Sequence, residues 1–247
     1  MRGGRHPGPA AFAMIAGVKL SVIIPVFNEA ATIAEIVARV RKAPIDGQLE
    51  LIVVDDGSTD ATRRLLSECA RGSEDIRLVF QEENRGKGAA IRKAIEHATG
   101  EITIIQDADL EYDPRDYPAL LRPILEGRAD IVFGNRFHGG EHRVLYYRHF
   151  MANQFLTTIC NVLTDLNLSD MEVGYKAFRT AVLKQLPLRA NRFDIEPELV
   201  IKSAKLAVRI YEVPISYHGR TYAEGKKIGW RDGVTALWRM LVFRFLD

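Results

Sequence analysis

Short apolar runs that alternate with helix-like segments constrain the fold of this chain more than any other feature of its sequence. The first run, 20–27, is apolar at nearly every position, as expected of a strand buried on both faces. Between residues 33 and 40 apolar side chains recur at helical spacing, so a helix is predicted to follow. Further strands, with helices between them, are predicted at 49–54, 76–80, 102–106 and 131–134. This order predicts an α/β fold with a Rossmann-like, mostly parallel sheet flanked by helices on both faces.

The second half of the chain is less regular, although no linker or repeat separates it from the first half. Helices are predicted at about 145–163 and at 193–204, the latter interrupted early by Pro197, and a strand is predicted at 208–216. We therefore predict one domain over residues 19–230. Residues 1–18, which are basic and rich in Gly and Pro, are predicted to be a disordered extension, and 231–247 an amphipathic C-terminal helix.

The composition argues against several classes of protein. With 47% hydrophobic and 27% charged side chains among 247 residues, the chain has the balance of an ordinary globular protein. A formal net charge of +2 gives no bias toward polyanions, so nucleic acid is not an expected partner. Cys69 and Cys160 lack the spacing of a disulfide framework or a zinc site, which fits a reducing cytosol. No run approaches the roughly 20 apolar residues of a membrane span.

Acidic side chains follow three of the predicted strands at the point where each strand ends. Glu29 follows the first strand, Asp55 and Asp56 the second, and Asp107 and Asp109 the fourth. In a parallel sheet these ends meet at one edge, where ligands bind and where clustered carboxylates need a cation or hydrogen-bond donors. Each acid alone is explained at least as well by a helix N-cap. Together, the two acids of the fourth strand predict a site for Mg²⁺ or Mn²⁺ that a diphosphate completes.

Four motifs, in this order, carry a resemblance to a known family. They are VIIPVFNE at 22–29, VVDDGSTD at 53–60, NRGKG at 84–88 and QDADLE at 106–111. The set resembles the family 2 glycosyltransferases of GT-A fold, and most closely their dolichol- or polyprenyl-phosphate hexosyltransferase branch, the dolichol-phosphate mannose synthase-like enzymes. The resemblance extends from residue 19 to about residue 230. It implies an inverting hexosyltransferase that uses a nucleotide diphosphate-sugar of the GDP-mannose or UDP-glucose class and a polyprenyl or dolichyl phosphate acceptor.

The resemblance also implies roles for residues on the donor side. Binding of the nucleotide-sugar is assigned to Pro25, Phe27, Glu29, Asp56, Lys87, Asp107, Ala108 and Asp109. Metal binding is assigned to Asp107, Asp109 and Glu111, and catalysis to Asp109, Asp170, Glu172 and Arg220. Phe27 stands where Tyr is usual in the family, which keeps a surface for stacking on the base. Glu111 stands where Gln is frequent, so it is either a ligand or a solvated neighbour.

Three segments are expected on the acceptor side. Residues 170–176 resemble a loop near the acceptor, 193–198 an acidic segment, and 218–227 the basic loop that closes over the phosphates. Phosphate binding is expected of Arg136, Arg148, Arg220, Lys226 and Lys227. A phosphate acceptor is already ionised, whereas a hydroxyl acceptor needs a general base, for which the candidates are Asp170, Glu172 and Glu196. Glu196 and Glu198 are equally well explained as carboxylates at a helix start.

An apolar stripe at helical spacing runs along the C-terminal segment, formed by Val234, Leu237, Trp238, Leu241, Val242 and Phe245. Arg239 and Arg244 lie on the other side of the same helix. This pattern predicts either a helix that lies on a membrane surface or one that docks on the sheet. The expected location is the cytoplasm, with peripheral contact to the cytoplasmic face of the membrane under the first alternative.

Three other functions are compatible with parts of the pattern. A glycosyltransferase of the same fold that acts on a soluble sugar or a polysaccharide would need one of the general bases named above. A nucleotidyltransferase usually has a Gly-rich basic loop after the first strand, and residues 27–30 are not such a loop. An inactive nucleotide-sugar-binding module is disfavoured because the acids Asp107 and Asp109 are both present. Sugar transfer to a lipid phosphate is therefore the leading hypothesis.

Overall fold

The first apolar run forms the centre of the sheet. In the computed structural model, which describes residues 17–139, 142–144, 146–221 and 230–247, β1 (Lys19–Val26) is almost completely buried. It pairs in parallel with β2 (Gln48–Asp55) on one side and with β4 (Ile102–Ile105) on the other. Side chains on both faces of β1 enter the core, which explains why its apolar residues do not alternate with polar ones.

Seven strands form one sheet in the order β3-β2-β1-β4-β6-β5-β7. The remaining strands are β3 (Ile76–Phe80), β5 (Ile131–Asn135), β6 (Lys176–Arg179) and β7 (Ile210–Pro214). β6 is antiparallel to both of its neighbours, and the pairings give the other strands a common direction. The predicted α/β class with a mostly parallel sheet is confirmed. Every strand of this sheet except β6 ends at the same edge, and β6 begins there.

Helices cover the sheet as the apolar periodicity predicts. In α1, for example, the residues that recur at helical spacing, Ile33, Ile36, Val37 and Val40, are the buried ones. The helices of the described ranges are α1 (Ile33–Arg41), α2 (Thr62–Ala70), α3 (Lys87–Ile95), α4 (Tyr117–Leu125), α5 (Tyr147–Thr164), α6 (Thr180–Leu183), α7 (Ile195–Ala204) and α8 (Trp230–Phe245).

The sequence pattern predicts neither α4 nor β6. β6 is only four residues long and follows a polar loop, so it lacks the apolar run on which a strand prediction rests. The expected interruption of α7 is not observed. This helix begins at Ile195 and contains Pro197 in its first turn, where the missing backbone N–H breaks no hydrogen bond within the helix.

The C-terminal helix α8 packs on the domain through residues outside its predicted stripe. Ala236, Met240 and Phe243 are buried, and α8 contacts α5 and α7. Trp238 and Phe245, which belong to the stripe, are 63% and 69% exposed. The helix therefore docks on the domain and still presents part of the stripe outward. Within the described ranges, no helix combines the length and the apolar character that a bilayer span requires.

A buried hydrogen-bond cluster lies at the end of β4. Tyr175 and Tyr117 donate their hydroxyl hydrogens to Oε1 of Gln106, over 2.5 and 2.9 Å. The amide group of Gln106 donates in turn to the carbonyl oxygen of Asp107 over 2.9 Å. Because Gln106 and both tyrosines are buried, the cluster fixes the backbone at the position where the first acid of the edge begins.

Replacing Tyr175 by Phe is expected to lower the free energy of unfolding by about 1 kcal/mol, because the buried oxygen of Gln106 loses one of its two donors. Chemical denaturation measures the change. Tyr147→Phe is the matched control, since that side chain is 72% exposed, and should shift stability by less than about 0.5 kcal/mol. No loss in Tyr175→Phe would show that the cluster does not stabilise the fold.

Candidate functional site

The common edge of the sheet collects acidic side chains. Glu29 follows β1, and Asp107 and Asp109 follow β4. Lys87, at the start of α3, and Arg220, beyond β7, reach the same edge and contact these acids. Two other parts of the chain thus supply the positive charge that clustered carboxylates require.

Lys87 is the first of these cations. Its Nζ lies 2.6 Å from Oδ1 of Asp107 and 2.8 Å from Oε1 of Glu196, which stands in the first turn of α7. Glu196 also forms an ion pair with Lys176 at the start of β6. Burial lowers the pKa of Lys87, but the negative charges of Asp107 and Glu196 outweigh it and raise the pKa above its ordinary value. Lys87 therefore remains charged and joins the end of β4 to α7.

Arg220 is the second cation and contacts three carboxylates. Its guanidinium lies 2.8 Å from Oδ2 of Asp109, 3.3 Å from Oε1 of Glu111 and 3.6 Å from Oε1 of Glu29. Glu111 also accepts hydrogen bonds from the backbone N–H of Arg220 and from the hydroxyl of Tyr217, each over 2.9 Å. Glu111 thus holds the Arg220 segment against the acidic edge.

The charge balance of the edge is negative. Glu196 is matched by Lys176, which leaves Lys87 and Arg220 against four carboxylates, those of Glu29, Asp107, Asp109 and Glu111. Burial, followed by the charges of Asp107 and Glu111, raises the pKa of Asp109 to about 7, even though Arg220 opposes the shift. Such a shift marks a place where additional positive charge is favourable.

The donor set fits a hard divalent cation whose coordination a substrate completes. In the parts of the chain that the structure describes, no three His, Cys, Asp or Glu side chains gather into a metal-binding group. Asp107 and Asp109 offer carboxylate oxygens, and Mg²⁺ commonly takes one or two of these together with water and substrate phosphates. The edge is therefore suited to a metal ion that arrives with a diphosphate.

The Gly-rich turn before α3 is held from two sides. The carboxylate of Asp56 accepts hydrogen bonds from the backbone N–H groups of Arg85 and Gly86, over 2.8 and 2.7 Å. Burial raises the pKa of Asp56 against the effect of these bonds. Gly86 has a φ of 101°, and a Cβ there would overlap the carbonyl oxygen of Asn191. The protein's own packing thus requires glycine at this position.

Gly174 brings the loop before β6 into contact with the acidic edge. Its backbone N–H donates to the hydroxyl oxygen of Tyr112 over 2.8 Å, and a Cβ at this position would overlap Oδ2 of Asp107. Asp107 is therefore held by the ion pair with Lys87 on one oxygen and by the close backbone of Gly174 on the other.

Asp170 and Arg136 form a buried pair beside the edge. The guanidinium of Arg136 donates to both carboxylate oxygens of Asp170, over 2.6 and 2.7 Å, and Asn153 of α5 donates to the same carboxylate over 3.1 Å. Arg136 also lies over the ring of Tyr217, 5.2 Å from its centroid. Both carboxylate oxygens of Asp170 are thus engaged by donors of Arg136 and Asn153. Arg136, which was expected to bind phosphate, and Asp170, which was expected to act as a base, are thus bonded to each other.

Glu172 interacts electrostatically with two neighbouring ion pairs, Arg136 with Asp170 and Lys176 with Glu196, whose charges compensate its own poorly. Its Oε1 atom is buried and has no hydrogen-bond partner among the described residues. Burial, followed by the negative charge of Glu196, raises the pKa of Glu172 to about 7. Glu172 can therefore gain or lose a proton near neutral pH.

The structure places six of the predicted site residues in two neighbouring groups of ion pairs, with Lys87 and Asp107 in one group and Arg220, Glu29, Asp109 and Glu111 in the other. Pro25 and Phe27 are half-buried at the end of β1, and Ala108 is buried between the two acids of the edge. Arg148 lies exposed on the first turn of α5. Lys226 and Lys227 lie outside the described residues.

Sequence reasoning missed several residues that hold the site in shape, namely Gln106, Tyr112, Tyr175, Lys176 and Tyr217. The sequence could have indicated Gln106 and Lys176, because each belongs to a motif whose acidic residues were predicted to lie at the site. The tyrosines gave no signal. In a sequence, a Tyr that fixes a loop through its hydroxyl cannot be told from one that fills the core.

The family profile described as "Glycosyl transferase family 2" matches residues 21–187. The dodecaprenyl-phosphate galacturonate synthase of Rhizobium johnstonii is 29% identical over 221 residues, with coverage of 86% of this chain and 62% of that protein. The dolichol-phosphate mannosyltransferase of Pyrococcus furiosus is 28% identical over 215 residues, with coverage of 86% and 60%. The chain thus spans less than two thirds of the length of these relatives.

A solved structure shares the fold over nearly the whole chain. Glucosyl-3-phosphoglycerate synthase from Mycobacterium tuberculosis, in complex with Mn²⁺, UDP and glucosyl-3-phosphoglycerate, gives a TM-score of 0.75 at 23% identity. The match covers 99% of this chain and 88% of that chain. The predicted GT-A fold is thereby confirmed.

Glu172→Gln is expected to make the free energy of unfolding less dependent on pH. The pKa of Glu172 in the folded protein, about 7, exceeds its ordinary value of 4.5, so the folded state holds this proton more tightly than the unfolded state. Wild-type stability should therefore fall as the pH rises between these values, and the variant should not share this loss. We expect the variant to be more stable by about 1–3 kcal/mol at pH 8 and nearly equal at pH 4.5.

Denaturant titrations across this pH range measure the difference. Glu82→Gln, in an exposed loop, is the matched control and should differ from the wild type equally at every pH. A difference between Glu172→Gln and the wild type that stays constant with pH would contradict the raised pKa.

Proposed function

Because the chain belongs to glycosyl transferase family 2, we propose that it moves a hexose from a nucleotide diphosphate-sugar to a polyprenyl or dolichyl phosphate, with inversion at the anomeric carbon. The donor is of the GDP-mannose or UDP-glucose class, and transfer requires Mg²⁺ or Mn²⁺. Relatives named for dodecaprenyl phosphate and dolichol phosphate support this class of acceptor.

The observation that carries the choice of acceptor is the state of the three candidate bases. Asp170 is bound on both oxygens by Arg136, and Glu196 is bound by two lysines. Glu172 has one oxygen buried without a partner. A hydroxyl acceptor needs an accessible base within hydrogen-bond reach. A phosphate acceptor is itself an anionic nucleophile and needs no base, so the ion pairs of Asp170 and Glu196 favour this chemistry, and Glu172 remains the candidate base for a hydroxyl acceptor.

On the donor side, the acids of the edge bind the metal ion and the cations bind phosphate. Asp107 and Asp109 would hold the ion through their carboxylate oxygens, and the ion, when bound, would supply a Lewis acid for the charge on the leaving nucleoside diphosphate. Lys87 and Arg220 exchange their carboxylate partners for phosphate oxygens, and the forked guanidinium of Arg220 suits a bidentate contact. Gly174 keeps Asp107 in position, so that the donor is oriented before the acceptor attacks.

The acceptor class implies that the reaction takes place at a membrane. The exposed residues Trp238 and Phe245 of α8 support peripheral contact, which we assign to the cytoplasmic face. Such contact lets the enzyme meet a lipid phosphate in the headgroup layer.

Transfer of labelled hexose from GDP-mannose or UDP-glucose to a short-chain polyprenyl phosphate tests the proposed function. We expect product with Mn²⁺ or Mg²⁺, none with excess EDTA, and a loss of about 100-fold or more in Asp107→Asn. Asp46→Asn, on an exposed loop, is the matched control and should retain the wild-type rate.

Phosphoglycerate and simple glycosides serve as soluble acceptors in the same assay. Transfer to one of these but not to polyprenyl phosphate would overturn the acceptor assignment and support the glycosyltransferase with a soluble acceptor. Binding of a donor without transfer to any acceptor would support the inactive module.

Arg220→Gln is expected to change Mn²⁺ binding in opposite directions with and without nucleotide. Alone, Mn²⁺ competes with Arg220 for Asp109, so the variant should bind it about 10-fold more tightly. With UDP or GDP present, the variant lacks a phosphate contact and should bind the Mn²⁺–nucleotide pair about 10-fold more weakly.

Electron paramagnetic resonance of free Mn²⁺ measures both affinities. Arg64→Gln removes an exposed ion pair with Glu68 and should leave both unchanged. Weaker binding of Mn²⁺ under both conditions would contradict the competition between Arg220 and the metal ion.

A further inference from the structure

Helix α5 turns an uncharged, largely apolar stripe toward the solvent. The outer stripe consists of Tyr147, Met151, Phe155, Thr158 and Val162, which follow one another at helical spacing. All five side chains are exposed, with values of 72% for Tyr147, 59% for Phe155 and 79% for Val162. A surface helix normally turns its polar side outward and its apolar side to the core. The outer stripe reverses this arrangement and therefore calls for a partner.

The charges at the N-terminal end of the outer stripe are positive, whereas the exposed Asp165 follows the helix at its C-terminal end. Across the described residues between 142 and 164 there is no Asp or Glu side chain, while Arg143 and Arg148 lie exposed at the N-terminal end of α5. Two tyrosines, Tyr146 and Tyr147, accompany these arginines and are 42% and 72% exposed. Aromatic rings with polar tips, arginines and an apolar body together match the layer where lipid headgroups meet acyl chains, and the positive charge matches anionic lipids.

The opposite face of α5 is bonded to the loop that precedes β6. Asn153 donates to the carboxylate of Asp170 over 3.1 Å, and the Oγ1 of Thr157 accepts from the backbone N–H of Met171 over 3.1 Å. At the edge of the outer stripe, Gln154 also donates to the carbonyl oxygen of Ser169 over 3.1 Å. One helix thus joins an apolar outer surface to the loop that is expected beside the acceptor.

We propose that the outer stripe of α5 rests on the surface of an anionic lipid bilayer and sets the loop 168–175 at the level of the lipid phosphates. The inference rests on the proposed function, because only an acceptor in the membrane makes this placement useful. A helix with its side chains is about 10 Å across, so a stripe buried in the headgroup layer keeps the loop within about one helix diameter of it.

The neighbouring helix supports a lipid surface as the occupant. α8 packs against α5 and also leaves apolar side chains outward, with Trp238 63% and Leu241 39% exposed. A bilayer accommodates two such helices without needing a complementary shape, whereas a protein partner would have to match both. The arginines at one end of α5 add attraction to anionic headgroups that a second copy of the same basic segment does not offer.

Co-sedimentation of the full chain with phosphatidylcholine vesicles, with and without about one third phosphatidylglycerol, tests the proposal. We expect the wild type to bind and to bind more strongly to the anionic vesicles. Met151→Gln combined with Phe155→Gln should lower the partition coefficient by about 10-fold or more. Phe80→Gln is the matched control, because Phe80 is 44% exposed on β3 at the far end of the sheet, and should bind as the wild type does.

Transfer assays separate this proposal from the proposed function. The double variant should transfer sugar to a short-chain, water-soluble polyprenyl phosphate at the wild-type rate and lose about 10-fold only with a long-chain polyprenyl phosphate held in vesicles. If the double variant loses vesicle binding and neither protein transfers sugar to a lipid phosphate, the membrane-binding role of the outer stripe is supported and the proposed acceptor is wrong. Equal vesicle binding by the wild type and the double variant would show that the outer stripe does not bind the membrane. A wild type that ignores vesicles, and a dimer that the double variant converts to monomer, would assign the outer stripe to self-association instead.

Discussion

Carboxylates gathered at one edge of a parallel sheet repel one another unless positive charge lies between them, and the rest of the site depends on how this chain meets that constraint. The two cations come from segments far from the acids in sequence, Lys87 from the start of α3 and Arg220 from beyond β7. Each contacts more than one carboxylate, so each fixes more than one element. The acids therefore select the positions of these segments, and the same contacts leave an excess of negative charge that suits a divalent cation.

The ion pairs also couple the two halves of the domain. Lys87 contacts Asp107 at the end of β4 and Glu196 in α7, and Glu196 passes the connection to Lys176 in β6. If Lys87 exchanges a carboxylate for another partner, the contacts of both Asp107 and Glu196 therefore change. Because Gly174 packs against the other oxygen of Asp107, a shift of this acid would also press on the loop before β6. The proposed donor and acceptor sides are thus connected through these side chains as well as through the common edge.

The sequence was sufficient to predict the parallel core and the acids at its edge, because buried strands and DxD spacing are local signals. β1 and α1 follow directly from the spacing of apolar residues. The partners of the acids were not predictable in the same way. The pairs Asp170–Arg136 and Glu111–Tyr217 are examples. They depend on the antiparallel direction of β6 and on the path of the chain after β7, and no local sequence pattern predicts either. The outer stripe of α5 could not be predicted either, because the exposure of its side chains is unusual and their spacing is not.

The reversed direction of β6 has a consequence for how such a domain can diversify. The chain leaves the functional edge at the end of β5 and returns to it at the start of β6, so the intervening segment begins and ends at the same rim. Its length and composition can change without shifting the register of any strand pair. The elements that carry Asp56, Lys87 and Asp107 lie before this excursion, and Gly174, close to its end, must keep its contact with Asp107. The part of the segment between β5 and Gly174 can therefore change in length while the acids at the edge stay in place.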